Sequence, residues 1–216
     1  MKIALINENS QAAKNSMIES VLKEVVTPMG HEVVNYGMYA ADDEAQLTYV
    51  QVGLLTAILL NSGAADFVIT GCGTGEGAML ACNSFPGVLC GHVVDPSDAY
   101  MFSQINAGNA AAFPFAKGFG WGAEINLNNI FVKAFGSPKG MGYPDGRKEA
   151  QNRNANLLFD VKKKVAKPLL DALRALDPQM VKECMIPRFL DCFYAGCQDQ
   201  EIRAFVDEMA ASKGGN

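Results

Sequence analysis

The chain has 216 residues, of which 49% are hydrophobic and 19% are charged, and its formal net charge at pH 7 is −5. This length and composition predict a globular protein with one good core and room for an appendage. Nucleic-acid binding is disfavoured because the only basic run is the short one at 162–164. The apolar runs are too short for a signal peptide or a membrane span, so we expect a cytoplasmic protein.

The six cysteines favour free thiols over disulfides or a metal site. None of them forms a C-x-x-C pair, which is typical of a protein kept in a reducing compartment. Cys184, Cys192 and Cys197 could be imagined as metal ligands, but both histidines, His31 and His92, lie far away in sequence. We therefore expect no metal and no cofactor.

Up to about residue 135, short β-branched runs alternate with longer helical periods. The predicted strands are Lys2–Ile6, His31–Asn35, Phe67–Gly71, Val88–Val93 and a weaker one at Ala110–Phe113. The predicted helices are Ser10–Val26, Glu44–Ser62, Glu76–Asn83, Pro96–Ile105, capped by Asp95 or Ser97, and Gly120–Ala134. This alternation predicts an α/β fold, a Rossmann-like, doubly wound, five-stranded parallel sheet in an α/β/α sandwich. Ligands of such sheets bind beyond the carboxyl ends of the strands.

The most informative stretch joins the third strand to its helix, where alternating glycines carry a thiol, a hydroxyl and a carboxylate. It reads Gly71-Cys72-Gly73-Thr74-Gly75-Glu76-Gly77. Glycines let the backbone approach a ligand closely, and the N-terminus of the following helix offers unpaired N–H groups to an anion. The same helix end favours the thiolate form of a cysteine, so Cys72 is a candidate base or nucleophile.

The composition changes near residue 140. Ser137–Gly146 is rich in Gly, Pro and Lys, and residues 147–212 are mostly helical, with breaks at three prolines. We predict two parts, an α/β domain over residues 1–140 and a helical C-terminal extension over residues 141–216. The apolar residues of the extension must be buried against the first domain or against a second subunit.

With these elements placed, the first 135 or so residues resemble the ribose-5-phosphate isomerase B and galactose-6-phosphate isomerase family. The motifs that carry the resemblance are Met1–Leu5 leading to Glu8-Asn9, where the family usually has Asp-His, a tyrosine at Tyr49, the loop Cys72-Gly73-Thr74-Gly75 with Gly77, Ala81-Cys82-Asn83 with Pro86-Gly87, and Asp95-Pro96 opening a segment that ends in Asn106. The last 70 residues have no counterpart in the short members of that family.

The resemblance implies an aldose-ketose isomerase, an intramolecular oxidoreductase, that acts on a sugar or sugar phosphate such as ribose 5-phosphate or galactose 6-phosphate through an enediolate. Cys72 matches the family's base, and Thr74 with the amides of Gly73, Gly75 and Gly77 would form the anion hole. One branch of the family places a glutamate base where this chain has Glu76. We favour Cys72 over Glu76, and both are catalytic candidates.

The resemblance also implies the substrate contacts and the assembly. The substrate-binding candidates are Glu8, Asn9, Tyr49, Gly73, Gly75, Gly77, Asn106 and Arg147. Arg147 would contact a phosphate, and in the family such arginines reach across the dimer. We therefore expect a homodimer or tetramer with its active site near the subunit interface, and neither nucleic acid nor membrane as a partner.

Three departures from the family bear on the substrate. The family's ring-opening histidine is Ile105 here, the histidine of the first loop is Asn9, and the arginine on the helix after Asp95 is Tyr100. An isoleucine cannot transfer protons. The protein thus opens no sugar ring, recruits another group for that step, or acts on an open-chain or unphosphorylated substrate.

Other interpretations of these residues stay open. Cys72 could be a small core residue, Glu76 could only balance the helix dipole, and Glu8 with Asn9 could simply cap the first helix. Loss of the histidines also fits a non-catalytic sugar-binding relative. Dinucleotide binding is less favoured, because a G-x-G-x-x-G fingerprint starting at Gly71 or Gly73 would need a glycine at Glu76 or Ala78.

Overall fold

The computed structural model describes residues 1–212 and is built on a five-stranded parallel sheet. The strands are β1 (Lys2–Leu5), β2 (Glu32–Asn35), β3 (Phe67–Cys72), β4 (Cys90–His92) and β5 (Ala110–Pro114), in the spatial order β2-β1-β3-β5-β4. All four adjacent pairs are parallel. The predicted Rossmann-like fold is confirmed, and the chain switches direction across the sheet between β1 and β3, where such folds bind ligands.

Helices cover both faces of the sheet in the first part of the chain. They are α1 (Asn15–Val26), α2 (Tyr49–Asn61), α3 (Glu76–Asn83), α4 (Pro96–Met101) and α5 (Ala123–Phe135). One core lies between the sheet and α2 with α3, and the other lies between the sheet and α1, α4 and α5. Since β3 and β5 are buried along their whole length, their residues are apolar or small on both faces.

Several element boundaries differ from the predicted ones for local reasons. The helix predicted from Glu44 begins at Tyr49, because Thr48 and Gln51 form a reciprocal capping box there. The helix predicted from Gly120 begins at Ala123, after Gly122 at φ 80°. The segment predicted as one helix to Ile105 ends in a wider turn over Phe102–Asn106, which Ala107 closes at φ 51°.

Over its described residues, 141–212, the C-terminal extension contains five α-helices. They are α6 (Lys148–Val165), α7 (Leu169–Arg174), α8 (Pro178–Glu183), α9 (Pro187–Gly196) and α10 (Gln200–Ala211). Phe189, Phe193 and Phe205 are at most 2% exposed and share the core of α2 and α3. The extension therefore packs against the α/β part of its own chain, which was one of the two expected arrangements.

The helix α6 is the exception within the extension. Its only buried residue is Ala155, whereas Leu157, Leu158 and Val161 are 58%, 49% and 44% exposed. A single chain thus leaves an apolar stripe of α6 facing outward. Within residues 1–212, no helix combines the length and the apolar character that crossing a bilayer requires.

Candidate active site

The glycine loop lies at the carboxyl edge of the sheet, between β3 and α3. Gly75 has φ 78° and immediately precedes α3. A Cβ atom on Gly75 would come within 2.7 Å of His92 Nε2, and one on Gly71 would overlap the ring of Phe115. Both positions need glycine because neighbouring groups occupy the space of a side chain.

The thiol of Cys72 faces this loop from the end of β3. The Gly75 N–H donates to Cys72 Sγ at 3.1 Å, and Thr74 Oγ1 lies 4.0 Å from the same sulfur. The residue is 7% exposed. Backbone hydrogen bonds from Phe115 N to Cys72 O (2.9 Å) and from Ala116 N to Gly73 O (3.0 Å) tie the loop to the end of β5. An amide aimed at the sulfur stabilises a thiolate, the form that a base or nucleophile requires.

The other two catalytic candidates are on the open side of the loop. Thr74 is exposed, and Glu76 is exposed in the first turn of α3, where a carboxylate also interacts favourably with the helix dipole. The structure thus brings Cys72, Thr74 and Glu76 to one edge, with the thiol recessed and the carboxylate solvated.

Loop residues after β1 and the start of α2 form the rim of the site. Glu8 is buried and caps the helical turn that follows it, accepting hydrogen bonds from the Ser10 N–H (3.0 Å) and the Ser10 hydroxyl. Ser10 Oγ lies 3.9 Å from where a Cβ of Gly73 would be, and the ring of Tyr49 lies 3.4 Å from the same point on Gly77. Asn9 is exposed beside them. Glu8 and Tyr49 therefore border the glycine loop, and Ser10 joins them.

Two further residues of the rim were not identified from the sequence. His92 makes its hydrogen bond to the loop itself, with Nε2 2.9 Å from Thr74 O. Lys14 donates to Phe115 O and, at 3.0 Å, to Gln11 Oε1, which places an ammonium group at the end of β5. Neither the His92–Thr74 contact nor the Lys14–Phe115 contact follows from a spacing pattern, since these partners are far apart in sequence.

Asn106 and Arg147 lie away from Cys72 in the same subunit. Asn106 precedes β5 and so lies at the amino edge of the sheet, a strand length of roughly 15 Å from the carboxyl edge. Arg147 is exposed just before α6, in a segment tied to that same edge by a hydrogen bond from Gly142 N to Gln104 O at 3.1 Å. These two predicted contacts can reach a glycine loop only if it belongs to another subunit.

Behind the site, two buried thiols interact between α3 and β4. The hydrogen bond with Cys82, followed by burial, raises the pKa of the Cys90 thiol well above its usual value. Asn83 joins the same elements, donating to Cys90 O at 2.8 Å and accepting from Cys90 N at 2.9 Å. This region fixes α3 on the sheet and keeps the Cys90 thiol in the protonated, inert form.

Comparisons with known proteins place these features in context. The Ribose/Galactose Isomerase family matches residues 3–149, and a second family, described as ribose-5-phosphate isomerase, matches residues 165–209. The crystal structure of a 4-deoxy-L-threo-5-hexosulose-uronate ketol-isomerase complexed with a tartrate is 57% identical, with a TM-score of 0.95 over 98% of this chain and 100% of that chain. A ribose-5-phosphate isomerase from Vibrio parahaemolyticus is 50% identical, with a TM-score of 0.93 over 97% of this chain and 99% of that chain.

A more distant structure shares the fold alone. The type B ribose 5-phosphate isomerase of Trypanosoma cruzi is 18% identical, with a TM-score of 0.63, and it covers 76% of this chain and 99% of that chain. The two more similar structures extend over the C-terminal helices, whereas this one leaves part of the chain unmatched.

Proposed function

The chain belongs to the ribose/galactose isomerase family, and we propose that it interconverts the aldose and ketose forms of an open-chain sugar acid. The match to the family over residues 3–149 and the 50% identical structure confirm the resemblance inferred from the sequence. The two 50% and 57% identical structures match nearly the whole chain and are of sugar isomerases, which supports the predicted aldose-ketose isomerase activity, and no finding favours a sugar-binding or dinucleotide-binding protein instead.

The observation that carries the proposal is the recessed thiol of Cys72, held 3.1 Å from the Gly75 amide at the switch point of the sheet. Isomerisation requires a base that takes the proton from the carbon next to a carbonyl and returns it to the neighbouring carbon. A thiolate that accepts a hydrogen bond from a fixed amide can act as this base. The remaining N–H groups of the loop and of the α3 terminus suit the oxygen on which negative charge develops.

In the proposed reaction, Cys72 removes the proton from carbon two of the aldose and the electron pair moves toward the carbonyl oxygen. The resulting enediolate is held at the glycine loop, with Thr74 as a further donor. A proton passes from oxygen two to oxygen one of the enediolate, and the thiol returns its proton to carbon one, which yields the ketose with its carbonyl at carbon two. Glu76 is the alternative base, and its solvated position at the helix end makes it the weaker one.

The choice of a sugar acid rests on the cationic and neutral groups around the site. Ile105 takes the place of the expected ring-opening histidine, which suits a substrate that has no ring to open. Lys14 brings an ammonium group to the end of β5, beside the loop, where it suits a carboxylate. The 57% identical relative is a ketol-isomerase of a hexosulose-uronate, an unphosphorylated substrate with a carboxylate.

We further propose a homodimer or a tetramer in which Asn106 and Arg147 of the partner subunit complete each site. Two observations support this assembly. Both residues lie at the edge of the sheet opposite Cys72, and α6, which begins directly after Arg147, leaves Leu157, Leu158 and Val161 exposed. An enzyme of this kind fits a cytoplasmic location.

A substrate panel tests the proposal. Isomerisation of 4-deoxy-L-threo-5-hexosulose-uronate, ribose 5-phosphate and galactose 6-phosphate is followed by NMR with the same enzyme preparation. We expect kcat/KM for the uronate to exceed that for either phosphate ester by at least about tenfold, since a carboxylate and a phosphate differ in charge and size. Equal or faster turnover of a phosphate ester would reject the sugar-acid assignment and leave the isomerase assignment intact.

A further inference from the structure

A single peptide unit connects His92 to the thiol of Cys72. The carbonyl oxygen of Thr74 lies 2.9 Å from His92 Nε2, and the N–H of Gly75 donates to Cys72 Sγ at 3.1 Å. These two groups belong to the same amide, Thr74–Gly75. The imidazole and the sulfur therefore act on opposite ends of one conjugated system.

The contact fixes the tautomer of the imidazole. A carbonyl oxygen only accepts hydrogen bonds, so Nε2 must carry the proton and donate it to Thr74 O. A donor on the oxygen withdraws electron density from the amide and makes its N–H a stronger donor, as in any cooperative hydrogen-bond chain. The hydrogen bond from Gly75 to the sulfur is strengthened, and the thiolate gains more than the neutral thiol does.

The imidazole also fixes the direction in which the amide points. Gly75 adopts φ 78°, and its Cα lies so close to the ring that an added Cβ would be 2.7 Å from His92 Nε2. His92 comes from β4, whose backbone pairs with Ala112 of β5. The sheet therefore anchors the ring that orients the Thr74–Gly75 peptide.

We propose that His92 is a positioning residue that acts through the Thr74–Gly75 peptide to hold Cys72 in its thiolate form. The expected effect on kcat rests on the proposed isomerase function, whereas the expected effect on the protonation of the Cys72 thiol does not. The ionisable side chains on elements that border the loop include Glu8, Lys14, Tyr49 and Glu76, and Cys82 of α3 and Cys90 of β4 lie behind it. They are left unchanged in the test below, so that a difference reports on His92 alone.

The test compares His92→Val, which removes the donor, with His92→Gln, whose side-chain amide can still donate to the carbonyl. His31→Gln serves as the control, because His31 lies at the amino edge of the sheet. The rate of Cys72 alkylation by iodoacetamide is measured by mass spectrometry of the Cys72 peptide at pH 7 and at an alkaline pH where the rate has levelled off. The ratio of the two rates reports the thiolate fraction and cancels changes in access to the thiol.

We expect the ratio to fall by about three- to tenfold in His92→Val, the size of effect that one lost hydrogen bond produces. His92→Gln should retain most of the ratio, and His31→Gln should retain all of it. In each variant kcat should fall by about the same factor as the ratio of alkylation rates, while KM changes less than about twofold, since the base acts in the chemical step.

An unchanged ratio in His92→Val would overturn the proposal, as would equal losses in His92→Val and His92→Gln. Should His92→Val fail to fold, His92→Gln and His92→Asn replace it, and the proposal then requires the longer side chain to keep the higher ratio. A reduced ratio with unchanged kcat supports the effect on the thiol and shifts the base of the proposed reaction to Glu76, which separates the two claims.

Discussion

At the scale of single residues, Gly75 is the position where substitution is most informative. It has φ 78° and its Cβ position lies 2.7 Å from His92 Nε2, whereas Gly118 has φ 70° and nothing within 4 Å of that point. Both Gly→Ala changes impose the left-handed penalty of roughly 1–2 kcal/mol. Only Gly75→Ala must also displace His92, so we expect it to lower the Tm further than Gly118→Ala and to reduce kcat. Equal Tm values and activities for the two variants would show that the ring does not hold the loop.

The residues of the site divide into those that a spacing pattern reveals and those that it does not. Cys72, Thr74 and Glu76 are predictable because they follow one another in a glycine-rich turn after a buried strand. His92 and Lys14 are not, since their partners are Thr74 and Phe115, at separations of 18 and 101 residues. Those contacts depend on the register of β4 and β5, which a single sequence does not specify. The catalytic and binding roles themselves stay predictions.

At the scale of elements, the N-terminus of α4 is capped by Asp95, one of the two capping residues that the sequence predicted. Asp95 accepts hydrogen bonds from Ser97 N (2.8 Å), Asp98 N (2.9 Å) and the Ser97 hydroxyl (2.7 Å). The bond from the Asp98 amide, followed by that from the Ser97 hydroxyl, lowers the pKa of Asp95 from its usual 3.8. The type of each element was predictable from such local signals. The exact first residues of α2 and α5, Tyr49 and Ala123, were not, because they depend on the capping box at Thr48 and on the left-handed conformation of Gly122.

The lowered pKa of Asp95 fixes the sign of a pH effect. Its stabilisation is fully present above the unfolded value near 3.8 and is lost as the pH falls through the lower folded pKa. Asp95→Ala should therefore lower the Tm at pH 7, and the difference from the wild type should shrink when melting is repeated at successively more acidic pH below 4. Asp42→Ala, which removes the same charge from an exposed position, is the control. A difference that stays constant down to acid pH would contradict the capping role.

At the scale of the whole molecule, the position of the C-terminal helices could not be predicted from their apolar residues alone. Leu169 and Leu173 are buried against the α/β part of the chain, whereas Leu157 and Val161 of α6 are exposed. Periodicity reveals an apolar face and does not identify what covers it. The division into residues 1–140 and 141–216 stays a prediction, since the extension and α2 share one core.

The proposed shared active site predicts subunit complementation. Cys72→Ala and Arg147→Ala should each be inactive alone, because every site lacks one of the two groups. After unfolding and refolding together, mixed dimers contain one site in which Cys72 of one chain meets Arg147 of the other, so activity should return to about a quarter of the wild-type value. Mixing Cys72→Ala with itself under the same conditions is the control. Failure of the mixture to recover activity would contradict a site shared between subunits.

The central claim is that Cys72 is the base of a sugar isomerase, and loss of the proton at carbon two of the substrate in heavy water tests it most directly. The wild-type protein is incubated with the uronate and with sugar phosphates, and the exchange of that proton is followed by NMR. We expect exchange in the wild type and in Glu76→Gln, and its loss by at least about a hundredfold in Cys72→Ala. Exchange that survives in Cys72→Ala and disappears in Glu76→Gln would contradict the assignment of the base. The absence of exchange with all of these sugars would contradict the proposed isomerase activity.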